Sequence, residues 1–70
     1  MTQVLAELVG TVWKITTTVG ASVAEEDVLL ILESMKMEIS VTAPRAGTVK
    51  EIRVRETEVV KEGQVLVVLE

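Results

Sequence analysis

The side chain with the clearest chemical potential is Lys36, which lies between two methionines in residues 33–38 (ESMKME). A primary amine that has lost its proton is a nucleophile and can be acylated on nitrogen. The chain contains no histidine and no cysteine. We therefore find no nucleophile with its base, no phosphate-binding loop and no thiolate or imidazole metal site. The sequence therefore predicts a chain that is not itself an enzyme, with Lys36 as its candidate site for chemistry.

The residues on either side of Lys36 indicate a β-hairpin. Residues 27–32 (DVLLIL) predict a strand buried on both faces, and residues 38–42 (EISVT) alternate as in a half-buried strand. Tight hairpin turns usually recruit Asn or Gly, yet no Gly, Asn, Asp or Pro lies between Asp27 and Pro44. The turn is thus expected to hold ordinary side chains in a strained conformation, which is more often retained for function than for stability.

Residues 33–38 closely resemble the attachment site of the biotinyl/lipoyl domain family, in which a lysine at a hairpin tip is acylated by a swinging cofactor. In that family, methionine on both sides of the lysine goes with biotin. Lipoyl domains usually carry an acidic residue before the lysine and a small one after it. The resemblance implies biotin bound covalently to Lys36 by a biotin protein ligase, with Met35 and Met37 as flanking recognition residues.

The same resemblance implies a biotin carboxyl carrier, which moves carboxybiotin between a biotin carboxylase subunit and a carboxyltransferase subunit. Two alternatives remain at this point. One is a lipoyl carrier of a 2-oxoacid dehydrogenase-type complex, and the other is an unmodified structural module of the same fold.

Several side chains have two interpretations. Met35 and Met37 could fill gaps in the core, but their place at a turn favours an adaptable apolar collar for a partner. Glu33 could be recognised together with Lys36. However, its repeat counterpart Glu70 precedes no lysine, so a structural role is at least as well supported. Trp13, the single aromatic residue, could mark a partner surface or cover one end of the core, and we prefer the second interpretation.

An internal repeat indicates how the hairpin is supported. A shift of 37 residues aligns 10–33 with 47–70 without gaps, and ten of the 24 positions are identical. Two copies are too few for a solenoid. They predict two half-repeats, about 3–33 and 40–70, that close on each other about a pseudo-two-fold axis.

Eight short strands are predicted, with no helical period. We place them at residues 4–6, 11–16, 22–23, 28–33, 37–42, 48–54, 59–60 and 65–69. They predict an all-β fold, a flattened eight-stranded antiparallel barrel or sandwich, and the family resemblance implies two four-stranded sheets (a barrel-sandwich hybrid).

Details of the repeat predict local irregularities. Val12 and Ile15 are three residues apart, as are their counterparts, so a bulge is needed to turn both inward. Gly10 and Gly47 suit either a close backbone approach or a left-handed conformation. At two turn positions where the family usually has glycine, this chain has Glu26 and Thr57.

Composition limits the partners. The net charge of −4 and the lack of a basic face argue against nucleic-acid binding. The longest apolar runs, 28–32 and 65–69, are too short to span a bilayer, and no signal peptide is recognisable. We expect a cytoplasmic protein of one domain, residues 1–70, that resembles small stand-alone biotin attachment proteins and is monomeric when isolated.

Overall fold

The computed structural model describes residues 1–70 and consists of eight β-strands without a helix. The strands are β1 (Thr2–Leu5), β2 (Gly10–Ile15), β3 (Ser22–Val23), β4 (Val28–Ser34), β5 (Met37–Thr42), β6 (Gly47–Ile52), β7 (Val59–Val60) and β8 (Val65–Leu69). All strand pairs are antiparallel. The predicted all-β class is confirmed, and each predicted strand is present with its ends within two residues. No helix is available that could cross a membrane.

The strands form two four-stranded sheets. The hairpin sheet has the order β5-β4-β2-β7, and the opposite sheet has the order β1-β8-β6-β3. Replacing each strand by its repeat counterpart converts one order into the other, as a pseudo-two-fold axis requires. Each sheet takes two strands from each half of the sequence, so the two halves interlock rather than stack.

The core between the sheets is a cluster of 14 buried aliphatic residues. No polar or charged side chain is buried. With neither disulfides nor buried ion pairs, the fold depends on apolar burial and on the backbone hydrogen bonds of the sheets.

The apolar run of β4 predicted a strand buried on both faces, but the structure shows that it is not. The pairing with β5 shifts between Val28 and Leu30, so Leu29 is an extra residue in a bulge. The bulge turns Leu29 and Leu30 inward together, and both are fully buried, whereas Val28 remains 41% exposed. The counterpart Leu66 is the extra residue when β8 pairs with β1. In β4 the continuous apolar run therefore reflects a bulge rather than two buried faces.

The irregularity predicted between Val12 and Ile15 is confirmed. The pairing of β2 with β4 shifts between Val12 and Lys14, and that of β6 with β8 shifts between the counterparts Val49 and Glu51. Val12 lies in the core and Ile15 packs against it.

The sequence predicted that Trp13 covers one end of the core, and this prediction is wrong. Val12 already fills the inward position of the bulge, so the indole is left 50% exposed and is not among the residues that pack against the core.

Gly10 and Gly47 are required for close backbone approach. A Cβ on Gly10 would lie 3.0 Å from the carbonyl oxygen of Glu33, and one on Gly47 would lie 2.8 Å from that of Glu70. Neither glycine has a positive φ, so the first of the two predicted explanations is correct.

Candidate attachment site at the β4–β5 hairpin

The segment around Lys36 forms the predicted hairpin. Ser34 pairs with Met37, which leaves a two-residue turn of Met35 and Lys36. Their φ angles are 52° and 64°, in the left-handed region. Positive φ at both central residues is typical of a type I′ turn, where Asn and Gly are normally selected. The predicted conflict between side chain and backbone is therefore present at Lys36 and at the residue before it.

The turn presents its side chains to solvent. Met35 is 89% exposed, Met37 is 60% exposed and Lys36 is also exposed. Lys36 takes part in none of the side-chain hydrogen bonds of the structure. The two methionines do not fill the core, so that interpretation is wrong. The arrangement exposes a primary amine, flanked by two exposed thioethers, to solvent.

Two carboxylates face each other next to the turn. Glu33 pairs directly with Glu38, and both side chains are exposed. Like charges directly opposite each other destabilise an antiparallel pair. Glu33 and its counterpart Glu70 each place a backbone carbonyl close to a glycine, which for Glu33 is Gly10. This shared contact does not involve the carboxylate of Glu33. The pair gives the stem of the hairpin a local negative charge.

Sequence reasoning missed two exposed apolar residues near the hairpin, Val9 and Val59, which are 59% and 65% exposed. Val59 pairs with Thr11, and Thr11 pairs with Glu33, so Val59 lies two strands from the stem of the hairpin. The signal that could have found them is the repeat, in which their counterparts are Ala46 and Ser22.

Comparison with known proteins gives consistent results. Residues 3–69 match the sequence profile of the biotin/lipoyl family, described as "Biotin-requiring enzyme". The Biotin/lipoyl attachment protein of Bacillus subtilis is 41% identical over 63 residues, which are 90% of this chain and 86% of that protein. The Biotin carboxyl carrier protein of Streptococcus mutans is 41% identical over 64 residues, 91% of this chain and 49% of that protein.

A solved structure shows the same fold. The urea carboxylase of Kluyveromyces lactis superposes with a TM-score of 0.94 at 30% identity, over 99% of this chain and 6% of that chain. This chain therefore spans about half of the Streptococcus protein and a small part of the urea carboxylase. It belongs to the biotin/lipoyl attachment domain family, and like the carrier domains of carboxylases it is a carrier module rather than a catalytic enzyme.

Proposed function

We propose that Lys36 is biotinylated and that the protein carries an activated carboxyl group between a biotin carboxylase and a carboxyltransferase. The observation that carries this proposal is the turn itself. An exposed lysine and an exposed methionine occupy left-handed positions that Asn-Gly would fill at lower cost. A stable hairpin does not need this choice, but a site that displays an amine to another enzyme does.

The modification requires a second protein. A lysine side chain in water has a pKa of about 10.4, so only on the order of one lysine in a thousand carries a neutral amine at neutral pH. This chain has no histidine that could act as a base. The ligase must supply the base and the activated acyl group. Lys36 Nζ would attack the activated acyl carbon and form an amide C–N bond, the activating group would leave with the electrons of the bond that breaks, and the ligase would take up the proton.

The chain's own contribution is to position the arm. Conversion of the ammonium to an amide changes the net charge from −4 to −5. Biotin, when bound, supplies a ureido nitrogen that accepts and releases the carboxyl group. The hairpin holds the base of the arm in solvent, and tethering gives a high effective concentration at each catalytic site.

The partners are therefore a biotin protein ligase, a biotin carboxylase subunit and a carboxyltransferase subunit, met one at a time by a monomer in the cytoplasm. Transient encounters require weak contacts rather than a large apolar interface, and the exposed surface, with charged side chains of both signs, is consistent with this. The names of the relatives from Streptococcus and Kluyveromyces support a carboxylase context.

A lipoyl carrier is the second candidate, because the name of the Bacillus relative includes both cofactors. Methionines on both sides of Lys36 favour biotin. The intact mass of the protein separates biotinylated, lipoylated and unmodified forms, and lipoyl on Lys36 would reverse the preference.

The decisive experiment maps the modification. After expression with a biotin protein ligase, peptide mass mapping should find biotin on Lys36 and not on Lys14, Lys50 or Lys61. Lys36→Arg keeps the positive charge and should abolish labelling, whereas Lys50→Arg, the matched control, should leave it intact. Labelled bicarbonate, ATP and a biotin carboxylase from the same cell should then label the biotinylated protein. Biotin on another lysine would refute the site, and failure of carboxylation would refute the carrier role.

A further inference from the structure

The internal repeat provides a reference for each exposed position near Lys36. Both sheets have the same strand order and the same bulges, so both must satisfy the same requirements of folding. A residue that differs between equivalent exposed positions is not explained by the scaffold. Such differences on the hairpin sheet are candidates for recognition.

Three exposed apolar residues lie on the outer face of the hairpin sheet or directly before it: Val9, Trp13 and Val59, which are 59%, 50% and 65% exposed. We call them the apolar strip. Alternation along β2 places Thr11 and Trp13 on the outer face, because Gly10 and Val12 are buried, and Val9 directly precedes the strand.

The apolar strip approaches the turn at its Val9 and Val59 end, whereas Trp13, between Val12 and Lys14, lies farther from the turn along β2. Val59 pairs with Thr11, which pairs with Glu33. Two strand spacings therefore separate Val59 from Glu33, about 10 Å. Val9 precedes the end of β2 that lies beside the hairpin tip, since β2 and β4 are antiparallel.

The equivalent face of the opposite sheet has no such strip. The counterparts of Val9, Trp13 and Val59 are Ala46, Lys50 and Ser22, listed in that order. Ser22 pairs with Thr48 just as Val59 pairs with Thr11, and the two threonines are identical in the repeat. The fold therefore also forms with small or polar residues at all three positions. At these three positions, the larger apolar side chain lies in each case on the side of the sheet that carries Lys36.

We propose that the apolar strip is the docking surface for the ligase that acylates Lys36; this inference rests on the proposed function. The ligase must bring Nζ itself to the acyl carbon, so its surface has to contact the residues around the hairpin. A carboxylase only needs the far end of the flexible arm, and its active site can stay away from this face. Of the three partners, the ligase therefore has the strictest need for contact here.

The charges beside the apolar strip define the partner further. Glu33 and Glu38 form an exposed carboxylate pair between the strip and the outer edge of the sheet. The complementary surface of the ligase is therefore apolar where it meets Trp13 and basic where it meets this pair. Charges of this kind chiefly raise the association rate, and the effect weakens with added salt.

The test replaces each residue of the apolar strip by the residue at its repeat counterpart. The variant V9A/W13K/V59S is compared with the mirror variant A46V/K50W/S22V, which alters the opposite sheet. Initial rates of Lys36 biotinylation are measured against protein concentration with a biotin protein ligase. Because all six positions are exposed, both variants should keep the melting temperature within a few degrees. W13A alone is included to separate loss of apolar contact from added charge.

We expect the strip variant to raise KM about tenfold or more with little change in kcat, and W13A to raise it in the same direction. The mirror variant should have the KM of the wild type. Equal KM values for the strip variant and the wild type, or equal losses in both triple variants, would overturn the inference. A wild-type protein that acquires no biotin on Lys36 would instead refute the proposed function, so the two failures are distinguishable.

Discussion

At the scale of the residue, the unusual feature is the backbone of Met35 and Lys36. Left-handed conformations cost an L-residue with a Cβ roughly 1–2 kcal/mol, and both central residues of the turn adopt them. The amine of Lys36 cannot be provided by the Asn or Gly that would relieve this strain. The turn thus gives up stability at the position where the proposed chemistry occurs, a trade-off often found at functional sites.

Met35→Asn should stabilise the fold. Asn tolerates a left-handed conformation better than Met, and the lost side chain is 89% exposed, so little burial is lost. A gain of about 1 kcal/mol would raise the melting temperature by roughly 4–8 °C in a domain of this size.

Met35→Leu is the matched control, because Leu retains both the apolar surface and the strain. Its melting temperature should equal that of the wild type, and it should be biotinylated faster than Met35→Asn. A melting temperature that is unchanged or lower in Met35→Asn would show that the turn is not strained.

At the scale of the element, the repeat shows how turns tolerate the loss of glycine. Gly20 and its counterpart Thr57 have φ angles of 93° and 77°, and Gly63 and its counterpart Glu26 have 84° and 72°. The turn geometry is kept in both members of each pair. Side chains help to close these turns, since Asp27 accepts a hydrogen bond from the backbone N–H of Ala24 (2.8 Å).

Glu26→Gly should therefore stabilise the protein, by up to about 1 kcal/mol, because the relief of left-handed strain exceeds the added entropy of the unfolded chain. Glu25→Gly, one residue earlier in the same exposed turn, removes the same charge at a position without positive φ and should destabilise it. Urea unfolding measures both. If the two variants shift the midpoint equally, charge rather than backbone conformation is responsible.

At the scale of the whole molecule, the fold depends on interlocking of the halves. The pairings within a half are β2 with β4 and β6 with β8. The other four join the two halves: β1 with β8, β2 with β7, β3 with β6 and β4 with β5. An isolated half would keep one two-stranded pair, which is marginally stable at best in water.

Peptides 1–35 and 36–70 should each be unfolded alone, with poorly dispersed amide resonances. An equimolar mixture should recover the dispersed spectrum of the intact chain as its concentration is raised, because the four inter-half pairings can then form. A dispersed spectrum from either peptide alone would contradict this topology.

The sequence alone determined the features that arise from short-range patterns. Period-two alternation and turn residues located all eight strands, and a repeat of 37 residues predicted the pseudo-two-fold relation. The missing Asn and Gly around Lys36 correctly predicted the strained turn, since a two-residue hairpin admits few backbone conformations. The spacing of Val12 and Ile15 likewise predicted the bulge.

Only the tertiary structure decided which residues are covered. The apolar run of β4 predicted burial on both faces, but the bulge at Leu29 turns consecutive leucines to one side. Trp13 was expected to cover one end of the core, yet Val12 fills the inward position and the indole stays 50% exposed. Local sequence patterns also could not predict the interlocked order of the strands. Sheet order and exposure depend on contacts between residues far apart in the chain, and a strand's own sequence specifies its inward face but not the neighbour that covers it.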